Sequence, residues 1–139
     1  IDLNYILEES HEGKKILKQL EIDNNKNLKF FQSEEEKLKK EKNDIENLKN
    51  ILSVDEYNKK KNLFKNKVNA YNQKKSNMIK SFEKSKNNEL NSFFLNLNGI
   101  MNIFMRDNSI DLILDKKNIV MANKDNDISN DILILVNNE

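Results

Sequence analysis

The sequence predicts an α+β chain that is mainly α: a long antiparallel helical hairpin of coiled-coil period, projecting from a small β body that several chains complete together. Three observations predict it. Apolar residues recur every seven positions along two long stretches. Gly and Pro, the usual punctuation of turns, number 2 and 0 in 139 residues. Past about residue 106 the seven-residue period gives way to alternation, the signature of strands.

Composition narrows the field further. Hydrophobic residues make up 37% and charged residues 34%, with a mean hydropathy of −0.83. That is too little apolar material for one compact core of this length, yet the pattern is too regular for disorder. No run approaches the roughly 18 apolar residues of a membrane-spanning helix. With no cysteine, thiolate metal sites, disulfides and a Cys nucleophile are all excluded, while the compartment stays open. The chain opens on Ile1 rather than Met and reads as a processed or trimmed product.

The elements follow in order. Ile1-Asp2-Leu3 looks like the tail of a strand, and Leu3, Ile6 and Leu7 then take helical spacing. Ser10 is a good N-cap and Gly13 weakens helix, so a break or bend is expected between them. From about Glu12 to Leu52 the chain is helical. Ile16, Leu17 and Leu20 share a face, and Phe31, Leu38, Ile45 and Leu52 recur every seven residues with Leu28 and Leu48 at offsets of three. Ser53 followed by Glu56 is a capping box that starts a new helix, so the turn falls near 52–55 and the two helices run antiparallel. Forty helical residues rise about 60 Å, so such an arm reaches well beyond a compact body.

The return helix, about Val54 to Met105, spaces Tyr57, Phe64, Tyr71 and Met78 by seven, with Val68 and Phe82 alongside. Its seam continues through Leu90, Phe93, Leu97, Ile100 and Phe104. After the polar break at Arg106–Ser109, Ile110, Leu112 and Leu114 alternate with Asp111 and Asp115, and a turn at Lys116–Asn118 leads into Ile119–Ala122. That reads as strand, turn, strand. Asp127 and Ser129 cap a last segment, Asp131–Val136, whose β-branched run leaves helix or strand open. The chain divides into a body, residues 1–23 and 106–139, and an arm, residues 24–105. Three short strands in one chain are marginal in water, so Ile110, Leu112, Leu114, Ile119 and Met121 need partners from other chains.

The near-neutral total of +1 hides a dipole. Residues 24–90 carry 17 Lys against 10 acids, and the return arm from Tyr57 to Asn88 carries 10 Lys against Glu83 alone. A basic arm attracts anionic partners over a Debye length of about 8–10 Å. Nucleic acid is not expected, because base readout favours Arg in a folded recognition element and Arg106 is the only one. A two-helix hairpin cannot cover its own seam, so Tyr57, Phe64, Tyr71, Met78 and Phe82 stay partly exposed beside Lys59, Lys60, Lys67, Lys74, Lys75, Lys84 and Lys86. Apolar patches flanked by charge suit adaptable contact with unfolded chains.

Nothing supports catalysis, a cofactor or a metal. His11 is the only histidine, Glu34-Glu35-Glu36 fan around a helix, and no Gly-rich phosphate loop exists. Asp107, Asp111 and Asp115 read as solubilising positions on strand edges. The rival to a binder of unfolded chains, from another class, is a structural coiled-coil adaptor that binds a folded partner.

Two groups of residues carry a family resemblance. Asp111-Leu112-Ile113-Leu114-Asp115, Ile119–Ala122 and Asp127-Ile128-Ser129 resemble the C-terminal signature of the Skp/OmpH family of periplasmic chaperones. Ile1-Asp2-Leu3, Ser10 through Gly13-Lys14, and Leu20-Glu21 resemble its N-terminal motif. The resemblance implies a homotrimer whose short strands form the β body, with the hairpins hanging from it. It implies ATP-independent holding of unfolded outer-membrane proteins in the periplasm, with anionic lipid or lipopolysaccharide as further partners. Lys stands here where the family uses Arg, which replaces bidentate anion contacts with point charges.

Overall fold

The structure, a computed structural model, describes residues 1–138. It is all-helical. Helix, 3-10 turns included, covers 83% of the described residues and no strand occurs among them, so the expected α+β fold with a β body is not what this chain forms. The elements are α1 (Leu3–Glu9), α2 (His11–Asn47), α3 (Val54–Asp107) and α4 (Ser129–Asn138), with single 3-10 turns at Lys116–Asn118 and Lys124–Asn126.

The physical reason for the missing sheet is local. Residues 110–115 take no regular structure, and among the described residues no other segment runs along them to form a ladder of hydrogen bonds. Only Ile1 reaches this stretch, donating its terminal ammonium to Leu114 O at 3.0 Å and accepting from Lys116 N at 2.7 Å. One rung does not make a ladder. The alternation also faces the other way. Ile113 packs on the core, whereas Leu112 and Leu114 are exposed and Ile110 is half-buried. At the N-terminus, Asp2 is no strand tail. It caps α1, its carboxylate accepting from Tyr5 N at 3.0 Å. The open segment 131–136 is helix, because Ile128, Ile132 and Val136 at offsets of four meet the same core.

The chain divides into two compact units, Ile1–Glu21 with Ser85–Glu139, and Ile22–Lys84. In the first, Ile1, Ile6, Phe93, Leu97 and Ile132 form a buried cluster, flanked by Leu3, Leu7, Ile16, Phe94, Met101 and Phe104. Full burial of such a side chain contributes about 1.5–3 kcal/mol. The corner between α1 and α2 is Ser10, fully buried, whose Oγ accepts from Gly13 N at 3.1 Å as an N-cap. Gly13 then passes so close to α1 that an added Cβ would lie 1.9 Å from Leu7 O. The break expected at Ser10–Gly13 is thus a corner held by a cap and a close approach.

In the second unit, α2 ends at Asn47 and a tight turn through Leu48–Ser53 leads into α3. The capping box forms as expected: Ser53 N donates to Glu56 Oε2 at 3.2 Å, and Glu56 N donates to Ser53 Oγ at 3.4 Å. Phe31 and Ile45 are the buried residues of this hairpin, and Leu38, Leu48, Tyr57, Phe64, Val68, Tyr71, Met78 and Phe82 are half-buried. Leu28, expected on the seam, is 54% exposed; Asn27, Glu34 and Glu41 occupy half-buried positions of α2 instead. The seam is only partly apolar.

Candidate functional site

The middle of the hairpin is where its side chains converge. Residues 34–46 of α2 hold six acids, and the facing stretch of α3 is rich in lysine. Glu35 Oε1 accepts from Lys75 Nζ at 2.6 Å and from Tyr71 OH at 2.6 Å. Glu41 Oε1 accepts from Lys67 Nζ at 2.6 Å. Because the helices are antiparallel, higher numbers on α3 meet lower numbers on α2. The Lys75 bond and the Tyr71 hydroxyl hold the Glu35 carboxyl below its ordinary range, in that order of strength. Glu35 in turn raises Lys75, while partial burial and then Glu35 raise the Tyr71 hydroxyl.

Aromatic rings join this array. Lys75 Nζ lies 5.2 Å from the Phe31 ring centroid and 5.8 Å from that of Tyr71. Lys74 Nζ lies 4.3 Å over Phe30, which meets Phe31 edge-on at 6.0 Å. Beside this array opens a groove of about 650 Å³, with Leu28, Phe31, Ile79 and Phe82 as apolar lining and Lys39 and Lys75 among its charges.

The sequence-derived capture residues therefore fall into distinct settings. Lys67 and Lys75 pair with acids of α2, Lys74 covers Phe30, and Lys86 also has a partner. Lys59 and Lys84 stand exposed with no ion-pair partner among the described residues, and the charge of Lys60, one turn on from Glu56, adds to the lowering of that carboxyl after the Ser53 bonds. Tyr57 lies near Lys61, whose Nζ is 5.8 Å from the ring. Sequence reasoning missed Phe30, Glu35, Glu41 and Ile79 as members of this array, and it placed Leu28 on the seam where the structure puts it in the groove lining. The opposite charge of the two facing stretches was the signal that could have found the acids, since the ion pairs have index sums of 108 and 110, matching a turn near 54.

Over residues 1–135 the chain matches the family described as outer membrane protein (OmpH-like). The chain belongs to the OmpH-like family. A crystal structure described as an outer membrane chaperone (OmpH-like) from Caulobacter crescentus superimposes with a TM-score of 0.86 over 99% of this chain and 81% of that one. Their sequences are 18% identical, so the likeness is one of fold. No curated protein matches the chain.

Elsewhere in this OmpH-like chain, Leu112, Leu114 and Met121 are exposed and Ile110 and Ile119 are half-buried. A polar knot ties the adjoining backbone down. Asp127 accepts from Ser129 N at 3.1 Å, from Ser129 Oγ at 2.5 Å and from Lys116 Nζ at 3.3 Å, and Asp2 N donates to Ser129 Oγ at 2.8 Å. The Ser129 bonds lead in lowering the Asp127 pKa from 3.8 to about 2. His11 has a structural place: its backbone N–H donates to Asn137 Oδ1 at 2.8 Å. Among the described residues no cluster of His, Cys, Asp or Glu could hold a metal ion, and no helix is long and apolar enough to cross a membrane.

Proposed function

We propose that this chain is an ATP-independent holdase of the periplasm that keeps unfolded outer-membrane β-barrel proteins from aggregating, with the hairpin unit as its capture surface. The observation that carries the reading is the half-open seam: Tyr57, Phe64, Tyr71, Met78 and Phe82 are only half-buried, and Phe82 joins Leu28, Phe31 and Ile79 in lining a groove between α2 and the lysine-rich α3. Membership of the OmpH-like family supports it, as does the outer membrane chaperone of like fold. Non-specific apolar contact gives breadth of clients, and exposed cations such as Lys59, Lys60 and Lys84 speed encounter. A homotrimer joined through the exposed Leu112, Leu114 and Met121 would remove those side chains from water. Anionic lipid or lipopolysaccharide would bind through the same lysines.

A light-scattering assay tests this directly. A denatured barrel protein diluted from urea should stay dispersed at stoichiometric amounts of the chain. Unchanged aggregation would refute the reading and favour an adaptor for a folded partner. Size exclusion with light scattering should return close to three times 16.4 kDa, and a monomer would remove the trimer from the proposal.

A further inference from the structure

The rings and lysines at the centre of the hairpin are occupied by one another. Phe30 lies under Lys74, Phe31 under Lys75, and the Tyr71 hydroxyl is spent on Glu35, which also holds Lys75. Nearer the turn, Glu41 holds Lys67. We propose that this cluster is an autoinhibitory clasp: the hairpin covers its own capture surface between residues 30–41 and 67–75, and the two helices part there before a client segment enters. The inference rests on the capture reading above and adds its regulation.

The kind of bond used argues for opening rather than permanent closure. The Lys67–Glu41, Lys75–Glu35 and Tyr71–Glu35 cross-links join side chain to side chain at partly exposed positions, and the one bond to backbone, from Tyr71 OH to Phe31 O, is long at 3.5 Å. Such pairs are individually weak, and salt screens them. Beneath them the seam offers little to hold the helices once the charges are screened. From Ile22 to Asp44 only Phe31 is buried, and Asn27, Glu34 and Glu41 stand at inward positions where a permanent coiled coil would carry Leu or Ile. The groove lined by Leu28, Ile79 and Phe82 also reaches Phe31, Glu35 and Lys75, so parting the clasp would extend an apolar surface already open to solvent. A client then replaces like with like. Its carboxylates compete with Glu35 and Glu41 for the lysines, and its apolar side chains take the rings.

The test separates the clasp from simple electrostatic steering, because the two predict opposite responses to salt in the amount captured at equilibrium. Glu35→Gln keeps the side-chain shape and, by weakening one exposed pair, should lower the amount of chain needed for half-suppression of aggregation by about two- to five-fold at low salt. The gap should close near ~0.5 M salt, where screening opens the wild type as well. Amide hydrogen exchange over 30–41 should be faster in Glu35→Gln whether or not a client is present. In a second arm, a Glu35→Cys/Lys75→Cys variant carries the chain's only cysteines, which a short bismaleimide joins to hold the helices together. The joined form should capture less than the same variant with each thiol blocked separately. The clasp is overturned if Glu35→Gln keeps its helicity and captures no better than wild type, or if the joined and blocked forms capture equally. Should Glu35→Gln lose helicity, the joined-against-blocked comparison decides alone. No suppression by any form would refute the holdase reading and the clasp that rests on it, whereas suppression that is equal in the joined and blocked forms overturns the clasp alone.

Discussion

The two units of the chain are held by different forces. In the unit of the termini, Phe93 and Leu97 are 2% and 1% exposed and pack with Ile6 and Ile132 from two further helices. In the hairpin the deepest side chains, Phe31 and Ile45, keep 7% and 9% of their surface, and acids occupy neighbouring inward positions. Burial dominates in the first and cross-helix charge contributes more in the second. The difference teaches that one chain can hold a rigid part and a part that opens without any change of secondary structure: both are helix. Contacts that lose water for good fix geometry, while contacts between wet charges can be exchanged.

The sharpest way to break this comparison is to remove one ring from each unit. Phe93→Ala should cost about 3–5 kcal/mol and lower the denaturation midpoint of the terminal unit, since a buried ring leaves a cavity that its neighbours cannot fill. Phe31→Ala, on an open groove, should cost clearly less and leave the terminal helices protected from hydrogen exchange. Equal losses in urea titrations would mean that the hairpin is held by its core after all.

The chain's two glycines sharpen the same point inside the terminal unit. Gly13→Ala would place a methyl 1.9 Å from Leu7 O and 2.8 Å from Ser10 Oγ, forcing α1 away from α2 at a cost of about 1–3 kcal/mol. Gly99 sits mid-helix in α3 with nothing within 4 Å of a built Cβ, so Gly99→Ala should stabilise by up to about 1 kcal/mol. Thermal melts of the two variants should therefore move in opposite directions. A Gly13→Ala melt at or above wild type would show that the corner is not a close approach.

These positions also show which features were legible in the sequence. The Ser53–Glu56 box and the Ser10 cap depend on neighbours three residues away, so local pattern suffices to read them. The seven-residue spacing likewise picked out Phe31 and Ile45, the two buried residues of the hairpin. The β body failed for a physical reason. Leu112-Ile113-Leu114 is apolar at every position, so alternation cannot say which parity faces inward, and the core took Ile113. Strand character also needs a second segment alongside, and among the described residues only Ile1 brings distant backbone to 114–116. Segment 131–136 became helix through the core it meets, which six residues do not encode by themselves. The settings of Lys67, Lys74 and Lys75 depend on register across the turn, so a count of lysines along one helix could not distinguish them from Lys59 or Lys84.

Acid supplies the smallest and most selective probe, because each unit holds a depressed carboxylate at a polar cluster, Asp127 in one and Glu35 in the other. In the terminal unit the folded Asp127 pKa of about 2 lies below its ordinary 3.8. A depressed carboxylate stabilises the fold fully above its unfolded value, and that contribution is lost as pH falls through the folded one. The knot should thus weaken between about pH 4 and 2. The shift alone corresponds to roughly 2 kcal/mol, but the side chain is 35% exposed, so solvent screening reduces it to the order of 1 kcal/mol. Asp127→Asn should flatten this part of the pH–stability curve, measured by urea melts at pH 5, 3 and 2. In the hairpin, Glu35 is also depressed, so its support is present above its ordinary 4.5 and lost on acidification, while Lys75, being raised, contributes below its ordinary 10.5 and fails only in strong base. Glu35→Gln should remove the acid response from hydrogen exchange at residues 30–41 and leave the Asp127 window intact. If either substitution flattened both responses, the two networks would be one, and the contrast between a packed unit and a charge-latched one would fall.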